Sequence, residues 1–180
     1  MKKLKKITSV IQRELLLMIV FMGLSVATYA QNCEITKNNG MGFSTTIAAV
    51  ADNGDGTYTI VLRVEHDGCG GPSCKELSHY SVEAVPGTYS NVSVNVTSGG
   101  MTYGQIDMGP NLGSDPFDGF KIDGTSGIGD GNAGTFEITY TLTSLQSQQT
   151  SAKAGPSGNF AGFTQAEFQQ VLDCQAPTNN

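Results

Sequence analysis

The stretch Thr57-Tyr58-Thr59-Ile60-Val61-Leu62-Arg63-Val64-Glu65 decides the fold class. In an extended chain Tyr58, Ile60, Leu62 and Val64 point one way, while Thr57, Thr59, Arg63 and Glu65 point the other. A period of two, carried by β-branched and aromatic residues, marks a strand with one face buried and one face wet. The pattern recurs. Val92, Val94 and Val96 alternate with Ser93, Asn95 and Thr97, and Phe136, Ile138, Tyr140 and Leu142 alternate with Thr135, Glu137, Thr139 and Thr141. Weaker alternation at 43–50, 79–85, 104–108, 119–123 and 149–154 brings the count to eight strands.

Turn chemistry separates these strands. Asp52-Asn53-Gly54-Asp55-Gly56 reads as a hairpin loop, because Asn and Gly tolerate positive φ. Pro86-Gly87, Ser98-Gly99-Gly100 and Gly129-Asp130-Gly131-Asn132 serve the same purpose. Short strands with one polar face predict an all-β, antiparallel, immunoglobulin-like β-sandwich of about eight strands. One short C-terminal helix follows. Thr164-Gln165-Ala166-Glu167 is a capping box, with Phe163 and Phe168 at the staple positions and Val171 and Leu172 extending the apolar face.

The first thirty residues read differently. Lys2, Lys3, Lys5, Lys6 and Arg13 make a basic start, Leu15 to Val26 is apolar, and Thr28-Tyr29-Ala30 supplies small residues before a cleavage point. This is the three-part export signal. Its apolar run of 12 residues falls short of the roughly 20 that a spanning helix needs. Cleavage is expected near Ala30, leaving residues 31–180 as a single domain, secreted or held at the cell surface, with no membrane insertion of its own.

The whole chain has 10 Lys and Arg against 16 Asp and Glu. Residues 31–180 keep five basic side chains against 15 acidic ones, a net charge of −10. Nucleic acid and anionic membranes require a basic patch, so neither is an expected partner.

Cys33, Cys69, Cys74 and Cys174 all lie beyond the signal. An even count in an exported chain reads as disulfides, and three pairings are possible. The favoured one joins Cys69 to Cys74 across a tight loop and Cys33 to Cys174 across the domain. Zinc is the competing reading, because His66, Cys69, Cys74 and His79 lie close in sequence.

Catalytic signals are weak. His66 lies between Glu65 and Asp67 without a nucleophile motif, and His79 starts an alternating strand. Any two of the acids could converge as a glycosidase pair. Asn91-Val92-Ser93 and Asn95-Val96-Thr97 match the glycosylation pattern and place both asparagines on the outward side of a strand. The segment from Tyr103 to Gly134 mixes five aspartates with nine glycines and must be largely loop. Calcium is the candidate cofactor there, with Asp115, Asp118 and Asp130 as its expected ligands, since hard cations take carboxylate and carbonyl oxygens.

Leu77-Ser78-His79-Tyr80-Ser81-Val82-Glu83, Gly119-Phe120-Lys121-Ile122-Asp123 and Ser151-Ala152-Lys153-Ala154-Gly155 resemble segments of β-sandwich modules in secreted and cell-surface proteins of bacteria, often Bacteroidota. The resemblance covers roughly residues 60–155. It implies an extracellular module used in adhesion or display, and it transfers no site residues. The expected function is therefore a secreted, non-enzymatic binding or adhesion module with an extracellular glycan or protein as ligand. The alternatives are a small secreted hydrolase acting through paired carboxylates and a structural component of a surface layer.

Overall fold

The alternation at 57–65 becomes a strand flanked on both sides in a computed structural model that describes residues 33–72, 74–110, 112 and 115–176. The expected signal peptide, residues 1–30, lies outside the described residues. Among the described residues ten strands are present: β1 (Ile35–Gly40), β2 (Phe43–Asp52), β3 (Tyr58–His66), β4 (Leu77–Glu83), β5 (Tyr89–Ser98), β6 (Gln105–Gly109), β7 (Gly119–Asp123), β8 (Gly134–Leu142), β9 (Gln148–Ala154) and β10 (Ser157–Phe163). One helix, α1 (Gln165–Gln175), follows. All strand pairs are antiparallel. One sheet, here sheet A, runs β1-β2-β3-β8-β5, and the other, sheet B, runs β10-β9-β4-β7-β6.

Eight of the ten strands coincide with the alternating segments. The two that alternation does not announce, β1 and β10, are both edge strands. Ile-Thr-Lys-Asn-Asn-Gly and Ser-Gly-Asn-Phe-Ala-Gly-Phe lack a regular apolar period. Each is extended because a stronger neighbour offers it a ladder.

The core lies between the sheets. Ile60, Leu62 and Val64 of β3 and Phe136, Ile138 and Tyr140 of β8 face Tyr80 and Val82 of β4 and Phe120 and Ile122 of β7, all fully buried. Tyr80 meets Phe136 edge-on at 5.7 Å, and Phe120 meets Tyr140 at 5.0 Å. Each such side chain contributes roughly 1.5–3 kcal/mol through burial.

Two polar stitches cross this core. The Thr45 hydroxyl donates to Asn39 Oδ1 at 2.6 Å, so the Tyr80 hydroxyl, 2.6 Å from Thr45, must be the donor to it. Asn39 Nδ2 in turn donates to Thr150 Oγ1 at 3.1 Å. Near β5, the Tyr140 hydroxyl donates to Gln148, whose amide donates to the Glu83 carbonyl at 2.8 Å. Burial pushes the pKa of both tyrosine hydroxyls well above the ordinary value, and both stay neutral donors.

The helix begins as expected. Thr164 accepts from the Glu167 amide, and the Glu167 carboxylate accepts from the Thr164 amide. Phe163 packs on Phe168 with ring centroids 6.1 Å apart. Phe168 and Val171 are buried, and Gln169 and Gln170 face water. α1 docks on β2. Beyond Ile35 strand β1 ends, and Gln175 takes over its role: its carboxamide accepts from Val50 N at 3.1 Å and donates to Ala48 O at 2.9 Å. Cys33–Cys174 and Cys69–Cys74 are both bonded, with Cα separations of 5.6 and 5.7 Å.

Candidate functional site

Alternation on β4 sends Tyr80 and Val82 inward and His79 and Ser81 to the outer face of sheet B. The registers set Ser81 between Ser151 of β9 and Lys121 of β7, and His79 between Lys153 and Asp123. An outer face should be wet, yet His79 and Ser81 are 8 % and 0 % exposed. Residues 115–118, leading into β7, lie over them, and Asp115 anchors that segment. The Ser81 hydroxyl donates to Asp115 Oδ2 at 2.5 Å, and His79 Nε2 lies 3.2 Å from the same oxygen. Burial alone would raise the Asp115 carboxyl, but hydrogen bonds from His79, Ser81 and Ser151 hold it below the usual carboxylate range. Asp115 Oδ1 and Ser151 Oγ, both sealed from water, form no bond of full geometry, so the serine contact is the loosest of the three.

The cluster contains the residue types of a serine hydrolase in the wrong order. Nucleophilic catalysis needs the serine on the histidine and the acid on the far side of the ring. Here serine and histidine share one carboxylate oxygen, and Ser81 is closed to solvent. The arrangement is a latch between loop and sheet.

The latch shapes its surroundings. Pro116, Phe117 and Asp118 form one wall of an open cleft, and Glu83, Ala84, Val85 and Pro86 form the other. The Ala84 amide donates to the Asp118 carbonyl at 3.0 Å and joins the walls. Gly119 follows Asp118 with φ 148, where a β-carbon would collide with the Val82 carbonyl. Val85 is 55 % exposed, and Phe160 of β10, 45 % exposed, takes the Phe117 ring edge-on at 6.3 Å. Across β9 and β4 from Phe160 runs a charged row on β7 and β6. Lys121 Nζ lies 3.0 Å from Asp123 and 3.5 Å from Asp107. Partial burial alone would lower the Lys121 ammonium, but the two carboxylates hold it above its ordinary value.

The three expected calcium ligands are not brought together. Asp115 is committed to the latch, Asp118 borders the cleft, and Asp130 sits in an exposed turn with φ 46. Among the described residues their carboxylates do not gather within ligating reach of one another. The zinc alternative also meets a correction. His66, Asp67 and Cys69 do converge, but Cys69 and Cys74 are bonded to each other, so no thiolate remains to ligate. His66 instead accepts at Nδ1 from the Gly68 amide at 3.1 Å and reaches the Met41 carbonyl at 3.2 Å from Nε2, while its ring packs on Phe43. His79 belongs to the latch.

Alternation singled out β4 but gave no reason to join Ser81 and Ser151 to Asp115. The only signal for these serines was their place on the supposedly wet face of a strand. Phe117 and Phe160 carried no pattern at all. No protein-family model matches this chain, and no curated protein is significantly similar to it.

Proposed function

We propose that this chain is an exported, non-enzymatic binding or adhesion module of the immunoglobulin-like class, and that it takes an extracellular glycan or protein on the outer face of sheet B. The carrying observation is the latched loop. A buried carboxylate held by His79 and Ser81, with Ser151 close by, fixes one wall of an open cleft on a rigid sheet, and pre-organised walls lower the entropy lost on binding. The exposed ring of Phe160 on β10 offers a stacking surface, and the Asp107–Lys121–Asp123 row on β6 and β7, across β9 and β4, offers donors and acceptors.

Several features support the setting. Two disulfides suit an oxidising compartment, and no helix among the described residues is long and apolar enough to cross a membrane. The export signal at 1–30 and the resemblance to bacterial surface modules point the same way. Asp107 and Asp123 share one ammonium on an open face, which suits ligand contact better than acid–base work.

The test is a glycan array and a matrix pull-down with the exported chain, repeated with Phe160→Ala and Lys121→Ala. Each substitution is expected to weaken capture at least tenfold, or about 1.4 kcal/mol, without changing the melting temperature by more than a few degrees. Binding that ignores both substitutions would place the ligand elsewhere, and the absence of any capture would reject the reading.

A further inference from the structure

We propose that β5 is the contact through which two copies of this chain pair, edge to edge, about a two-fold axis. The inference concerns sheet A and is independent of the cleft on sheet B.

A sheet edge presents unpaired amides and carbonyls, and proteins usually blunt it with lysine, proline, a bulge, a short strand or a covering segment; the bulges of β5 flank its centre and leave Ser93 to Val96 in line. The other edges of this molecule are blunted. β1 is tied to sheet B through Asn39, which donates to Thr150 and to the Asn159 carbonyl, and its line is finished by Gln175. β6 has only five residues and carries Asp107, and β10 is broken by two glycines. By contrast β5 has ten residues, pairs among the described residues with β8 alone, and contains no charge and no proline. Its outward residues Ser93 and Asn95 are exposed, and even Val92, Val94 and Val96 on its core side are only half-buried.

Charge and register choose the occupant. Residues 31–180 carry a net charge of −10, so two copies repel over most of their surface. Yet from Ala84 to Ile106 there is no charged side chain, the longest such run beyond the signal. Glu137, the acid beside Asn95, is offset by Arg63 at 3.6 Å. The stretch Val92 to Val96 runs from the close of a first bulge, in which Asn91 has φ 54, through Ser93 to Val96 in unbroken register with β8. That stretch is self-complementary. With the axis at Val94, Val94 faces its own copy, Val92 faces Val96, and Ser93 faces Asn95. A two-fold contact requires such a self-matching surface. It would complete the burial of three valines and merge two copies of sheet A into one.

Sedimentation equilibrium of the exported chain tests this. The expected result is a monomer–dimer equilibrium that the pair Ser93→Lys and Asn95→Lys weakens at least tenfold. Four lysines would then meet at the axis, while in the monomer both side chains are exposed and Asn95 adjoins Glu137. A chain that stays monomeric up to about 1 mM overturns the proposal, as does a dimer that the lysines leave intact. Circular dichroism checks that the double variant folds. If it does not, Val94→Cys decides. Under mild oxidation it should form a covalent dimer faster than Gln149→Cys on the far sheet, and equal rates would overturn the proposal.

Discussion

Asp115 sits where an acid is hard to keep, with its side chain almost fully sealed from water between a loop and a sheet. Its charge survives there because His79, Ser81 and Ser151 turn donors toward it. Replacing it with alanine strands those donors and frees the loop, at a cost of about 3 kcal/mol. Thermal melts should show a drop of roughly 8 °C at pH 7. The sign of the pH dependence follows from the lowered folded value. The carboxylate stabilises the fold fully above its unfolded value, about 4, and the contribution is lost as pH falls through the lower folded value. The gap between wild type and Asp115→Asn should therefore narrow from pH 7 toward pH 3, and a constant gap would contradict the latch. Asp115 stood out in the sequence as an aspartate among glycines, which suggested calcium. Its true partners lie 34 and 36 positions away in the sequence, and only strand pairing brings them near. Local composition could mark the residue but not its role.

At the element scale, legibility followed local signal strength. β3 and β8 alternate without interruption and sit at the middle of sheet A, where each has a partner on both sides. β1 and β10 lie at edges and take their geometry from β2 and β9, so nothing in their own residues announces them. The helix was legible because its start depends on residues three apart. Thr164→Ala should remove that start and cost about 1 kcal/mol. The check is a chemical denaturation series in which Thr164→Ser retains full stability. If Thr164→Ala matches wild type, the cap contributes nothing and Phe163 on Phe168 alone fixes the helix. The role of Gln175 was hidden for a different reason: a side-chain amide that finishes a backbone ladder requires a bulge and a strand end to fall beside it.

For the whole molecule, the two disulfides should differ in weight. Constraining the unfolded chain over 141 residues is worth about 5 kcal/mol on the chain-entropy account, against about 2 kcal/mol for a span of five. Cys174→Ser is therefore expected to lower the unfolding midpoint in urea far more than Cys69→Ser. Equal losses would mean that the short bridge does more than stiffen its loop. The long bridge also has a mechanical meaning. Its two α-carbons are 5.6 Å apart, so both ends of the folded unit leave it from one point. Tension applied through those ends runs along a single covalent link and never reaches the strands. While the link stands, the unit behaves as an inextensible bead under load. Once it is reduced, the same pull can pay out roughly 500 Å of chain.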